Sequence, residues 1–468
     1  MTSWWRRPVD RSIYLIGGTL AVAAVGQFLT PAAPPVATTV VVPITSLALA
    51  CPALPADTPG FSIAAKGALL DGKGKAHLDI QATRAGSATV KGSDVRVVFI
   101  KHSSAALFTA EGSSASNLVA DASIAGTSST TRGYASYACQ PPSASQWLVG
   151  GSSEAGRISV LDIANVEATP ATVDIELWTE DGKSGARSLN GIEVPARSRL
   201  QLSLALVDPG RAMYAVHVIA TSGQVSSAIF DRGQQALNSL GLDVVTAVNG
   251  TLASSIVGVI PEGSTNAVLG VLSPGTATSV HISLITNDGT YALADADHLA
   301  IDGDKLTLVK IPDDALAGDV AVLVQADTPV IAGVTQQITI RGGADLASAA
   351  MLAPVYRIAS LTVDSSVSQA TAMLHSDVAC SVVVTVRTGA STSTKTVNLI
   401  AGQVQRVKLV GGSGALHVVS IEPSVDGVVR GAVLLQRGSM GSVASSVEPL
   451  ASLRGYVAVP PVAAAVTR

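Results

Sequence analysis

The chain repeats one stretch of its sequence three times, at a spacing of about one hundred residues, which is the usual size of one small domain. The copies lie at residues 172–182, 279–289 and 381–389, and each is followed by a similar closing phrase. Such self-similarity is typical of modules that were duplicated in tandem. The repeats therefore predict a chain built from related modules of one fold.

Each copy has the pattern of a strand with one buried face. In the first copy Val173, Ile175 and Leu177 alternate with polar residues, and Trp178 falls on the opposite face. A period of two is that of a β-strand, and Asp-Gly turns after two of the copies favour hairpins. We expect an all-β fold of tandem β-sandwiches of immunoglobulin or fibronectin type. Only residues 231–242 and 342–351 show a helical period, and both stretches lie between modules.

The pattern predicts four β-domains after an N-terminal segment. Residues 51–146 are strand-like but lack the repeated phrases, so we expect a divergent module there. The three repeats should occupy residues 147–255, 256–358 and 359–468, the last with a C-terminal strand near residues 455–460. Residues 1–50 remain for a cytoplasmic stub, a membrane span and a proline-rich stalk.

Residues 13–29 form an apolar stretch without charge that follows Arg6, Arg7 and Arg11. This length is at the lower limit for a membrane-spanning helix, and a basic flank before it favours a cytoplasmic N-terminus. We expect a retained signal-anchor at the cell membrane, with the bulk of the chain extracellular. Two alternatives stay open: a cleaved signal peptide, which would make the protein secreted, and a lipoprotein modified at Cys51.

An extracytoplasmic location suits the cysteines. Disulfides persist in oxidising compartments, and Cys51 and Cys139 bracket the predicted first domain, so we expect them to pair. Closing so long a loop contributes about 4 kcal/mol in the chain-entropy model. Cys380 is then left as a free thiol next to a strand. The alternative is that all three are unpaired core residues.

The composition argues against a nucleic-acid partner. The net charge is −4, and charged residues make up only 14% of the chain. Phosphates require a basic surface, and the sequence has no run of lysine or arginine to supply one. Aromatic residues account for 3% against 47% for all hydrophobic residues, so the cores must consist of aliphatic side chains.

The junction after the first domain carries a family resemblance. Cys139 is followed by Trp147 and then by the strand of residues 156–161, which leads into the first repeat. This arrangement resembles an actinobacterial family described as domain of unknown function 5719, whose members look like membrane-anchored or secreted envelope proteins. The proline of the family's Leu-x-Asn-Pro motif is missing after Asn165. The resemblance implies a location and a fold but brings no established activity.

The motifs that could carry chemistry all have simpler explanations. Residues 67–73 have the spacing of a phosphate-binding loop, but Gly74 stands where the motif requires Ser or Thr, which favours a hairpin tip. The acidic residues between 295 and 304 lack the ligand spacing of a calcium loop, and Asp304 aligns with an ordinary turn. We therefore expect no cofactor and no metal site.

The histidines give no catalytic group. His217 and His417 occupy the same strand position in two repeats, and Leu323 replaces them in the other. A position that accepts leucine is most simply a half-buried packing position. His281 matches a solvent-facing position. The remaining histidines have no partner at a recognisable spacing: His77, His102, His298 and His375. We expect no catalytic residues and no enzymatic activity.

These features together favour a structural or protein-interaction role in the cell envelope, with the membrane and envelope proteins as partners. The alternative is glycan binding, as an accessory subunit in envelope polysaccharide assembly or on cell-wall glycan. Sugar sites use aromatic platforms, and Trp178 is the possible contact residue because its strand position faces away from the core. Its other explanation is packing under a loop or against the neighbouring module.

Overall fold

The computed structural model describes residues 40–52, 60–70, 74–80, 88–91, 96–100, 105–126, 128–185, 189–340, 343–412, 414–438, 444–453 and 456–459. The predicted membrane span at residues 13–29 lies outside these ranges. Within them, no helix is both long and apolar enough to cross a membrane.

The chain divides into two compact units. The smaller unit holds one antiparallel strand pair, β1 (Val40–Pro43) and β35 (Tyr456–Val459), with Val40 opposite Val459. The C-terminal strand predicted for the last repeat is therefore present, but its partner is a strand from the end of the predicted stalk. Its assignment to the last repeat was wrong, because short strands carry no sequence signal for their distant partner.

The described part of the larger unit, residues 44–455, is mostly strand and forms four modules. Module I holds β2 (Ser46–Cys51), β3 (Phe61–Leu69), β4 (Lys75–Ile80), β5 (Ala88–Lys91), β6 (Arg96–Ile100), β7 (Ala106–Glu111), β8 (Leu118–Gly126) and β9 (Gly133–Ala138). Module II holds β10 (Ser145–Gly150), β11 (Arg157–Asn165), β12 (Ala171–Thr179), β13 (Gly182–Lys183), β14 (Ile192–Val194), β15 (Ser198–Ser203), β16 (Tyr214–Ser222), β17 (Ser226–Gln235) and β18 (Asn238–Thr246).

Module III holds β19 (Leu252–Ile260), β20 (Ser264–Leu272), β21 (Thr278–Ile285), β22 (Thr290–Ile301), β23 (Thr307–Lys310), β24 (Val320–Ile340) and β25 (Gly343–Ala350). Module IV holds β26 (Ile358–Val363), β27 (Val367–Ser376), β28 (Cys380–Thr388), β29 (Ser391–Leu399), β30 (Val404–Gly411), β31 (His417–Pro423), β32 (Val429–Arg437), β33 (Ala444–Pro449) and β34 (Ala451–Leu453). Helical turns occur only as short connections, at Gly112–Asn117, Leu204–Val207 and Asp313–Leu316 of the described chain.

All four modules have the same strand order. One sheet places the first strand beside the sixth, then the third and the fourth, and the other sheet runs fifth, second, seventh, eighth. In module III the long strand β24 supplies both the sixth and the seventh positions, because its first half pairs with β21 and its second half with β20. Module I shares this order although it lacks the repeated phrases, so it is a fourth copy of the same fold.

The structure corrects two details of the predicted organisation. Of the two stretches with a helical period, residues 231–242 contain the end of β17 and the start of β18, and residues 343–350 of the other form β25. Residues 345–350 of β25 are all buried, which removes the alternation that would mark a strand, and the turn between β17 and β18 interrupts it in the other stretch. The boundary predicted between residues 255 and 256 falls inside β19, so module III begins earlier.

The modules do not lie in a row, because each contacts the next and module IV returns to module I. The eighth strands β9, β18, β25 and β33 meet at these junctions, and apolar side chains of one module complete the core of another. The residues that cross the four junctions are Phe230 and Leu242 (II to I), Trp147 and Trp178 (II to III), Met373 and Leu434 (IV to III), and Ala125 and Tyr134 (I to IV).

A buried carboxylate joins three of the modules. Asp345 on β25 accepts backbone hydrogen bonds from Tyr134 at 2.8 Å, Leu242 at 2.9 Å and Leu346 at 3.0 Å. The close approach of the backbone to Asp345 requires a glycine at position 241. The φ of Gly241 is +112°, and a Cβ there would lie 2.3 Å from the Asp345 Oδ1 atom. A carboxylate that accepts hydrogen bonds from several N–H groups strongly constrains the position of the backbone segments that donate them.

More ionisable groups are buried where module I meets module IV. The fully buried Lys66 lies 3.9 Å from Asp364, and its ammonium donates to the Thr362 carbonyl. Asp121 accepts from the Thr362 amide and hydroxyl at 2.6 and 2.7 Å. Burial raises the pKa of both Asp121 and Glu448, whose carboxyls interact. Since Lys66 and Thr362 favour ionised Asp121, Glu448 is the carboxyl of the pair that holds its proton more strongly.

Candidate functional site

The predicted disulfide is present. Cys51 at the end of β2 bonds to Cys139, which follows β9, so the bridge ties the first strand of module I to its eighth. Cys380 is a free thiol at the start of β28, 3.3 Å from the Ser376 hydroxyl. The bridge closes module I at its junction with module II.

Trp178 lies between modules II and III. Its side chain is 2% exposed, its ring stacks on Trp147 at 5.3 Å between centroids, and its indole N–H donates to Asp304 at 3.1 Å. Lys183 lies over the outer part of the ring, with its ammonium 4.9 Å from the ring centroid. This is the packing environment that the sequence offered as the alternative to a ligand contact. Asp304, an ordinary turn residue by sequence, is thus part of a module junction.

Next to this stack, a serine, a histidine and a glutamate from three strands form a hydrogen-bonded row. The Ser145 hydroxyl lies 2.8 Å from His217 Nε2, and Glu176 lies 3.4 Å from His217 Nδ1. The pairing of β10 and β12 with β16 brings them together, since His217 is opposite both Trp147 and Glu176. Sequence analysis missed the row because no local motif joins residues so far apart. The sequence does contain one signal for the row: the alternation along each strand places these three residues on the same face of the sheet.

The row has the connectivity of a hydrolytic triad, but its geometry favours a structural role. An orienting carboxylate should lie within about 3.2 Å of the imidazole, and Glu176 is farther away. Glu176 also pairs with Lys183 at 2.6 Å. The His217 ring stacks on Trp147 with 3.9 Å between centroids, and burial lowers its pKa. The row therefore links β10, β16 and β12 on this face of the sheet.

A pocket of about 370 Å³ opens at the same junction, with Trp147 on one wall. Its other lining residues are Gly250, Thr251, Pro274, Thr276, Thr328 and Pro329. The Thr328 hydroxyl is buried and makes no hydrogen bond within the described chain. An aromatic wall with nearby hydroxyl groups is a chemistry that suits a small polar ligand.

Module IV presents a long, regular edge strand. β29 pairs with β28 along its whole length, from Ser391 opposite Thr388 to Leu399 opposite Cys380, without a register shift. β29 is the outermost strand of its sheet, and most of its side chains are exposed. An unpaired strand edge offers a row of backbone donors and acceptors to a further strand. The geometry of this edge is thus suited to pairing with an extended polypeptide.

A pocket of about 230 Å³ lies beside this edge, at the open side of the sandwich between β29 and β30. Its walls combine aliphatic and polar side chains, chiefly Val384, Val386, Ser393, Lys395, Leu409 and His417. His417 donates to or accepts from the Thr388 hydroxyl at 2.7 Å, and burial lowers the pKa of the imidazole. The pocket is large enough for an aliphatic side chain.

The fourth strands of the other modules, as far as they are described, are too short or too irregular to pair well with a further strand. In module II this position is divided between β13 and β14, of two and three residues. In module III, β22 carries two register shifts against β21. The described part of the fourth strand in module I, β5, has four residues. Short and bulged edges resist further pairing, so β29 stands out among equivalent strands.

The remaining histidines are spread over the molecule, with one exception. His375 is 2% exposed and lies 3.1 Å from Asp377, His77 is exposed on β4, and His102 lies outside the described residues. Residues 71–73 of the apparent phosphate-binding loop are also outside them. The exception is the group formed by His281, Asp297 and His298, which sequence spacing did not reveal.

A family model described as a family of unknown function, DUF5719, matches residues 99–410, about two thirds of the chain. The match begins in module I, includes all of modules II and III, and ends in β30, about halfway through module IV. The resemblance inferred from the junction at Cys139 and Trp147 is thereby confirmed. A search of curated proteins finds no significant match.

Proposed function

The chain belongs to the DUF5719 family, and from this starting point we propose that it is an extracytoplasmic interaction protein of the cell envelope. Residues 13–29 anchor it in the membrane, and the four modules hold the β29 edge outside the cell. The partner is an envelope protein with an extended segment that adds to β29 as a further strand. The protein acts by binding and not by catalysis.

The regular edge of β29 is the observation that carries this proposal. Strand addition gains affinity from main-chain hydrogen bonds, and pockets beside the edge select side chains. The strand offers nine continuous residues, and the adjacent pocket would take one aliphatic side chain of the partner. Most side chains of β29 carry hydroxyl groups. A partner strand that pairs with β29 therefore removes few charged groups from water.

The cyclic arrangement of the modules supports the same function. A binding edge loses less entropy on association when it is preorganised. Module IV contacts both module III and module I, and Arg406 on β30 pairs with Asp319 of module III at 2.5 Å. These contacts hold module IV, which carries β29, in place. The immunoglobulin-type assignment of the modules is supported by pairing of their second and fifth, and third and sixth, strands.

The test is recovery of partners from intact membranes by pull-down of the full-length protein, with and without cell-wall digestion. Ser393→Trp fills the pocket beside β29, and we expect it to reduce recovery of defined envelope proteins at least tenfold. Ser391→Trp, on the same strand but outside the pocket lining, is the matched control and should reduce recovery less. Equal recovery with the wild-type protein and Ser393→Trp would contradict the proposal.

A second candidate function, glycan binding, is favoured by the pocket at Trp147. It combines an indole wall with the hydroxyls of Thr251, Thr276 and Thr328, and the last of these is buried without a hydrogen bond in the described chain. Sugars supply both an apolar face and hydroxyl partners. Recovery that depends on intact wall polysaccharide, and that Thr328→Val abolishes, would place this function first.

A further inference from the structure

Two histidines and an aspartate of module III come together on the exposed face of one sheet. His281 lies on β21, and Asp297 and His298 lie on β22, with His281 directly opposite Asp297 in the pairing. One donor atom from each residue lies within 4.8 Å of the others. His281 Nδ1 is 3.3 Å from Asp297 Oδ1, and the two imidazole rings are 4.1 Å apart between centroids.

The irregular path of β22 is what makes this grouping possible. Neighbouring residues on a regular strand point to opposite faces, so Asp297 and His298 should be separated by the sheet. His298 instead has a φ of +141°, and the register shifts on both sides of His281. A positive φ is disfavoured for residues other than glycine, and bulges of this kind redirect side chains. The strand thus turns two successive side chains towards one point.

We propose that His281, Asp297 and His298 bind a divalent transition-metal ion, with Zn²⁺ as the best match. Two imidazoles and one carboxylate form a ligand set that suits zinc, whereas magnesium and calcium prefer oxygen ligands alone. This inference is independent of the β29 edge, which lies on another module.

The distances fit a site that closes around the ion. Zinc–nitrogen bonds of about 2.1 Å in a tetrahedron place neighbouring donor atoms about 3.4 Å apart. The pair formed by His281 and Asp297 is already at this separation. The side chains of His281 and Asp297 are 33% and 67% exposed, so small rotations can bring the third donor in. Three protein ligands leave one coordination position for water or for a donor from a partner.

The test is a titration of the full-length protein, without a polyhistidine tag and after treatment with a chelator, with Zn²⁺ and Co²⁺. We expect one ion per chain and, for Co²⁺, the visible absorption of a tetrahedral nitrogen and oxygen site. His281→Ala/His298→Ala should abolish this binding, and Asp297→Asn should weaken it at least tenfold. His77→Ala, which removes an exposed histidine from module I, is the control and should bind like the wild type.

Two results would overturn the assignment. One is the absence of stoichiometric binding by the wild-type protein at micromolar Zn²⁺. The other is binding that survives in His281→Ala/His298→Ala. Circular dichroism of the variants distinguishes a lost ligand from a lost fold, and Asp297→Asn, at a largely exposed position, keeps the test valid if the double variant is unstable.

Discussion

At the scale of single residues, the buried carboxyls between modules I and IV determine how stability responds to pH. Burial raises the pKa of Glu448 well above its ordinary value of 4.5, with the charge of Asp121 as the next cause. The folded protein therefore holds this proton more strongly than the unfolded chain does. The stability that depends on this proton is fully present below the unfolded pKa and is lost as the pH rises through the folded pKa.

Replacing this group should flatten the pH dependence. Glu448→Gln keeps a side chain that can donate to Asp121 and cannot ionise, so we expect it to gain stability relative to the wild type as the pH rises from 5 to 8. Urea denaturation at both pH values measures the effect, and Glu193→Gln at an exposed position is the control. A difference between Glu448→Gln and wild type that is the same at both pH values would contradict the account.

The row formed by Ser145, His217 and Glu176 supplies a second prediction at this scale. Because the Glu176 carboxylate is shared with Lys183 and lies 3.4 Å from the imidazole, we expect Ser145 to have the reactivity of an ordinary serine. A serine-directed fluorophosphonate should leave it unlabelled, as judged by mass spectrometry of the intact protein. Labelling that His217→Ala removes would show an activated nucleophile and would favour a hydrolase.

At the scale of elements, the strand pattern was largely predictable and the strand partners were not. The alternation around Val173, Ile175 and Leu177 correctly indicates β12, whose apolar face lies in the core of module II. The same rule fails for β25, because residues 345–350 are all buried, and for the start of β18, because the turn after β17 interrupts the alternation. Likewise, Trp178 faces away from its own core but into the next module, a contact that only the folded chain defines.

The glycine at the junction of these strands gives the third prediction. At Gly241 a Cβ would meet Asp345 and the Leu346 amide at 2.3 Å, and its φ is +112°. Strain and overlap together should make Gly241→Ala destabilising by about 3 kcal/mol or more. Gly318→Ala, where a Cβ has open space, should stay within about 0.5 kcal/mol of the wild type. Guanidinium unfolding compares the two, and equal values would show that the close approach is not required.

At the scale of the whole molecule, the repeats predict the number of related modules but not their closed contacts. Module I shares its strand order with the others, yet its repeated phrases have diverged, so sequence alone showed three copies. The contact between modules IV and I joins residues far apart in the chain, such as Asp121 and Thr362. No local pattern encodes such a pair. The candidate edge at β29 was missed for a related reason, since an edge is defined by the absence of a neighbour.

Site-specific photo-crosslinking in intact cells would detect an envelope protein bound at the β29 edge. A photoreactive amino acid replaces Thr394 on β29 or, as the matched position, Thr290 on the edge strand β22; both are exposed. We expect defined protein adducts from Thr394, insensitive to cell-wall digestion, and few from Thr290. Equal adducts from both positions, or none from Thr394, would contradict the account.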